Sequence, residues 1–170
     1  AVWHKEIVFA LERGIEVWGA ASMGALRAAE LHPVGMIGVG AIFQAFKRGE
    51  LCADDEVAVA HLPAAQGYRA VSDALVNLRA GIATAPGVTA RTRSALAELA
   101  KARFYRERTW GTLLADAREA GLPSAQLAKL AAWPKPDRKA ADARLLLRRL
   151  ARTTPTRPAG ACTASWTGPA

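Results

Sequence analysis

Apolar residues recur at helical spacing over the first thirteen positions: Trp3, Ile7, Ala10 and Leu11 share one face, while Lys5, Glu6, Glu12 and Arg13 lie opposite. The pattern predicts a helix over Val2 to Arg13, stopped by Gly14. Ile15 to Gly19 has the β-branched and aromatic content of a short buried strand, and Met23 to Leu31 returns to a helical period that His32-Pro33 closes. Gly35, Gly38 and Gly40 predict a loop, and Ala41 to Arg48 a short helix. In Glu56 to Leu62, Val57, Val59 and His61 alternate with small residues, which predicts a second strand with His61 at its C-terminal end and Pro63 as its stop. From Val71 onwards the period is helical: Val71 to Gly81, Ala90 to Arg108, Trp110 to Ala120, Pro123 to Trp133 and Asp137 to Arg152.

The expected fold is therefore α/β, with a small, mostly parallel sheet and flanking helices in the N-terminal half and an α-helical C-terminal half. One core domain is expected over residues 1–152. The Thr-, Pro-, Ala- and Gly-rich stretch 153–170 has no period and is expected to be a disordered tail.

Composition narrows this picture. The chain has 170 residues, 51% of them hydrophobic, enough for one ordinary core. Its two cysteines, Cys52 and Cys162, cannot build a disulfide framework or a zinc cluster, so no metal is expected. The Gly35 to Gly40 segment lacks the spacing of a phosphate-binding fingerprint, and no cofactor is expected either. No apolar run approaches the roughly 18 to 20 residues that span a bilayer, and no signal-peptide layout opens the chain. The expectation is a cytoplasmic protein with no membrane partner. Residue 1 is Ala and Val2 already lies in a helical pattern, which leads us to expect a fragment or a processed product.

Lys and Arg number 23 against 15 Asp and Glu, a net charge of +8 that favours an acidic partner. A nucleic acid is the weakest such partner, because it depends on charge alone: Glu98 and Glu107 interrupt the basic run from Arg91 to Arg108.

The chemistry concentrates at Ala20-Ala21-Ser22-Met23-Gly24, where small residues surround one serine between a strand and a helix. A nucleophile elbow has this form, with the hydroxyl exposed at a tight turn and the helix N–H groups near Met23 and Gly24 available to an oxyanion. Ala20 stands where the elbow usually has glycine, and the competing reading makes Ser22 an ordinary helix cap. A nucleophile needs a base. Strand ends of a parallel sheet share one edge, which makes His61 the leading base; His4, or Lys5 in a Ser-Lys pair, are the others. Arg27 is placed to steady an anion near the helix start. Glu30 lies eight residues along the helix, about 12 Å, and cannot touch Ser22.

The blocks "AVWHKEIVFALERGIEVWGAASMGALRAAEL", "DDEVAVAH", "DALVNLRA", "RTWGTLL" and "DRKAADA", in that order, resemble the TfuA-like core family over about residues 2 to 150. Members typically carry a further glycine-rich β-strand segment ahead of the first block, so the resemblance implies an N-terminally truncated domain. It also implies an accessory role beside a YcaO-type enzyme, which activates a backbone amide of its peptide substrate for replacement of oxygen by sulfur. Sulfide would come from a small acidic carrier protein of the ThiS type bearing a C-terminal thiocarboxylate. Its release is an acyl-transfer hydrolysis suited to Ser22. The alternative is a non-catalytic adaptor that docks on the YcaO enzyme or its peptide.

Overall fold

The computed structural model describes residues 3–153. The expectations for Val2 and for the tail from residue 154 onwards lie outside the described residues. The elements are α1 (His4–Glu12), β1 (Trp18–Ala20), α2 (Met23–Leu31), β2 (Ile37–Val39), α3 (Ala41–Lys47), α4 (Leu75–Thr84), α5 (Ala90–Ala102), α6 (Trp110–Glu119), α7 (Ser124–Ala132) and α8 (Arg138–Leu150). β1 and β2 pair in parallel, with Trp18 opposite Ile37, Gly19 opposite Gly38 and Ala20 opposite Val39. The small parallel sheet and the helical C-terminal half are as expected.

The expected second strand is corrected in two ways. The second strand is Ile37–Val39, inside the glycine-rich segment read as a loop. Its glycine is a packing requirement: a Cβ on Gly38 would lie 2.2 Å from the Phe43 ring of α3. Conversely, Glu56 to Leu62 is not a strand. Asp54–Glu56 forms a 3₁₀ turn, and His61 makes only an isolated antiparallel bridge with Ala70. Alternation needs a neighbouring strand edge to become a ladder, and here the turn is drawn away instead by arginines of the helical half. Glu56 accepts two bonds from Arg79, both 3.1 Å, and Asp55 accepts from Arg108.

Two apolar clusters form the core. One gathers Ile7, Ala25, Ala28, Met36, Phe43 and Phe46 around the sheet. The other gathers Leu78, Leu96, Leu113, Leu127 and Leu130 among α4 to α7. Helix α4 joins them, giving Val76 to the first and Leu75, Leu78 and Ile82 to the second. The predicted helix over Ala90 to Arg108 ends early, at Ala102. Beyond it the chain turns back, and the guanidinium of Arg108, 1% exposed, donates to the Ala100 and Arg103 carbonyls at 2.9 and 3.0 Å. Carbonyls that a helix end leaves orphaned are satisfied in this way.

Helix α8 returns to the first half and packs on β1, α3 and α4. Its Asp142, 5% exposed, accepts the Ala41 and Ile42 N–H groups at 3.0 and 2.8 Å and so caps α3 from a hundred residues away. Gly40, at φ +100°, makes room, since a Cβ there would meet the carboxyl carbon at 2.2 Å. Asp142→Ala should leave the buried Ile42 N–H and the part-buried Ala41 N–H without acceptors and cost about 1–2 kcal/mol, read as a lower midpoint in urea unfolding with an unchanged slope.

Candidate functional site

The site grows from the joint between β1 and α2. Ser22 N–H donates to Ala20 O at 2.8 Å across Ala21, whose φ is +69°, so the strand leaves the sheet through a strained γ-turn. The small residues on either side follow from this geometry. A Cβ on Gly19 would lie 2.1 Å from the Gly24 carbonyl oxygen, so β1 and the start of α2 touch backbone to backbone.

Ser22 holds the N-cap position of α2, yet its hydroxyl makes no capping bond. Its carbonyl accepts from Ala25 and Leu26, while Oγ reaches out of the helix and donates to Val57 O at 3.4 Å. The cap reading is thereby corrected: the hydroxyl is directed to another segment. The N–H groups of Met23 and Gly24 have no hydrogen-bond partner among the described residues. They remain available to an anion beside Ser22.

Val57 O accepts a second bond, from Lys139 Nζ at 2.8 Å. Lys139 stands in the first turn of α8, a helix started by Asp137, whose carboxylate accepts from Ala140 N–H at 2.9 Å. Burial holds the Lys139 amine below the ordinary lysine range, and the nearby Asp137 carboxylate offsets part of that. A hydroxyl and a desolvated amine thus meet on one carbonyl oxygen. Reading the sequence missed Lys139; the signal present was its block "DRKAADA".

The other predicted residues separate into two places. His61 is exposed and bridged to Ala70, so the strand-end geometry that made it the leading base is absent. His4 Nε2 bonds Glu30 Oε2 at 2.8 Å, and Arg27 donates to the same oxygen at 2.5 Å. This cluster ties α1 to α2 well along α2 from Ser22. Burial pulls the Glu30 carboxyl upward, but the bonds from Arg27 and His4 outweigh it and leave the group below the usual range. Lys5 is exposed on α1. Met23, Gly24 and Arg27 do come together, lining with Trp18 and Met36 a cavity of about 180 Å³ at the start of α2.

The basic run from Arg91 to Arg108 is largely engaged within the molecule. Arg103 pairs with Asp116 and Glu107, Arg93 donates to Ala85 O, and Arg108 is buried. On α8 the position is different: Arg144, Arg148 and Arg149 are exposed, and none has an ion pair among the described residues. No group of residues suited to a metal ion occurs among the described residues, and no helix there is long and apolar enough to cross a membrane.

A family model described as TfuA-like protein matches residues 1–109, which include Ser22, Val57, Arg79 and Arg108 but not Lys139. No curated protein matches the chain.

Proposed function

Starting from a chain that belongs to the TfuA-like protein family, we propose that it hydrolyses the thiocarboxylated C-terminus of a ThiS-type sulfur-carrier protein, with Ser22 as nucleophile and Lys139 as base. The family is associated with YcaO systems and with thioamidation-related processes. The observation that carries the reading is the shared acceptor: Ser22 Oγ and Lys139 Nζ both donate to Val57 O. A serine hydroxyl is a poor nucleophile until a base takes its proton, and a lysine serves only when neutral, which desolvation favours.

In the proposed sequence the neutral Lys139 amine takes the Ser22 proton as Oγ attacks the thiocarboxyl carbon. The N–H groups of Met23 and Gly24 hold the developing oxyanion. The Lys139 ammonium then protonates the sulfur, the C–S bond breaks and hydrosulfide leaves. Water, giving a proton to Lys139, attacks the acyl-serine ester; Oγ leaves and takes that proton back, and the released carboxylic acid gives its own proton to solvent to become carboxylate. His4, Lys5 and Arg27 lie on the α1 and α2 side, where Arg27 adds positive charge for the carrier's anionic end.

The test is sulfide release from a thiocarboxylated carrier. Ser22→Ala should lower the rate at least 100-fold, whereas His61→Ala and His4→Ala should not; an unchanged rate in Ser22→Ala overturns the reading.

A second reading is favoured by the unpaired arginines of α8, which suit an acidic protein surface. As an adaptor docking on a YcaO enzyme, the protein would tolerate Ser22→Ala in thioamidation assays and lose complex formation when Arg144 and Arg148 are both changed to Glu.

A further inference from the structure

The Val57 carbonyl is a peptide oxygen in a short turn, and such a group orients two donors only if the turn itself cannot drift. The Asp54–Glu56 turn has a single-turn backbone of its own, closed by Val57 N–H to Asp54 O at 3.2 Å. Two arginines from the helical half hold it from outside. Arg79 of α4 grips the Glu56 carboxylate with two bonds of 3.1 Å, and that carboxylate is buried. Arg108 donates to both Asp55 O, at 3.0 Å, and Asp55 Oδ2, at 2.8 Å, from a position 1% exposed. The fork geometry of guanidinium fixes direction as well as distance, which an ammonium would not.

We infer that Arg79 with Glu56, and Arg108 with Asp55, are positioning residues that aim the Val57 carbonyl and thereby hold the Lys139 amine beside the Ser22 hydroxyl. The inference rests on the serine-lysine reading for its catalytic meaning, but not for the placement itself. The charged groups nearby are otherwise committed: Asp142 is held by α3, and Asp137 caps α8 while drawing the amine upward. With the turn released, water reaches the amine and the desolvation that lowers it is relieved.

The experiment measures Lys139 directly. Competitive acetylation of the full chain by acetic anhydride, followed across pH by mass spectrometry, gives the titration midpoint of that one amine without any carrier present. In Arg79→Ala the midpoint should rise toward that of ordinary lysine. Glu56→Gln should move it the same way by less, and Arg79→Lys should restore part of the wild-type value. Sulfide release should fall in turnover number with the carrier KM unchanged. Should Arg79→Ala unfold by circular dichroism, Glu56→Gln decides. An unmoved Lys139 midpoint in a folded variant overturns the inference. A moved midpoint with unchanged sulfide release upholds the positioning and overturns the serine-lysine chemistry instead.

Discussion

Lys139→Met should abolish most sulfide release from a thiocarboxylated carrier, lowering the rate by about 10²–10⁴-fold, the range that a general acid-base group contributes. Methionine keeps the length and apolar stem of the side chain and removes only the amine, so packing of α8 on β1 and α3 should survive. The pH profile carries the sharper signature. The base acts when unprotonated, so the wild-type rate should rise with pH through a midpoint that burial has placed below the ordinary lysine range. The variant's residual rate should lack that rise.

The same substitution separates activity from stability. Because the folded amine titrates lower than the unfolded one, the unfolded chain binds more protons in the window between the two midpoints, and folding stability increases with pH there. Lys139→Met removes this slope. Its thermal midpoint near neutral pH should equal or exceed that of wild type, since the variant no longer buries a charged group. A variant that lost activity only together with its melting transition would identify Lys139 as a structural residue.

Gly19→Ala should be the most damaging single-methyl change in the N-terminal half. The added Cβ would sit 2.1 Å from the Gly24 carbonyl oxygen and 2.7 Å from the Met36 methyl. The methionine can move, but the carbonyl belongs to the first turn of α2 and cannot shift without displacing Ser22. Overpacking against backbone is expected to cost about 3 kcal/mol, a fall of about 6–12 °C in Tm for a chain of this size. The facing residue is the control: a Cβ on Gly24 would meet Gly19 Cα at 3.6 Å, an ordinary contact, so Gly24→Ala should change stability by less than about 0.5 kcal/mol. Equal effects from both substitutions would contradict this packing.

The helices of the C-terminal half were legible because their signals are local. Asp137, Thr109 and Gly121-Leu122-Pro123 mark ends that the structure keeps within a residue or two, as does the α2 start at Met23. Errors arose where a local pattern had no partner to act on. Val57, Val59 and His61 alternate as a strand would, but the segment pairs with neither edge of the two-stranded sheet and is held by Arg79 and Arg108 instead. In Ile37-Gly38-Val39 the glycine that suggested a loop is there to admit Phe43. The basic run from Arg91 to Arg108 was weighed for its charge toward a partner, although its last arginine is among the most buried side chains present.

By itself, then, the sequence determined that a serine stands at a tight strand-to-helix joint among small residues, since turn chemistry and periodicity are properties of neighbours along the chain. Which amine shares an acceptor with that serine was decided only by tertiary structure. Val57 is 35 residues from Ser22 and 82 from Lys139, and nothing in their local spacing relates them. They meet because α8 packs back on β1 while arginines of the helical half fix the Val57 turn. Burial in that contact is also what lowers the amine, a property no isolated stretch of this chain has.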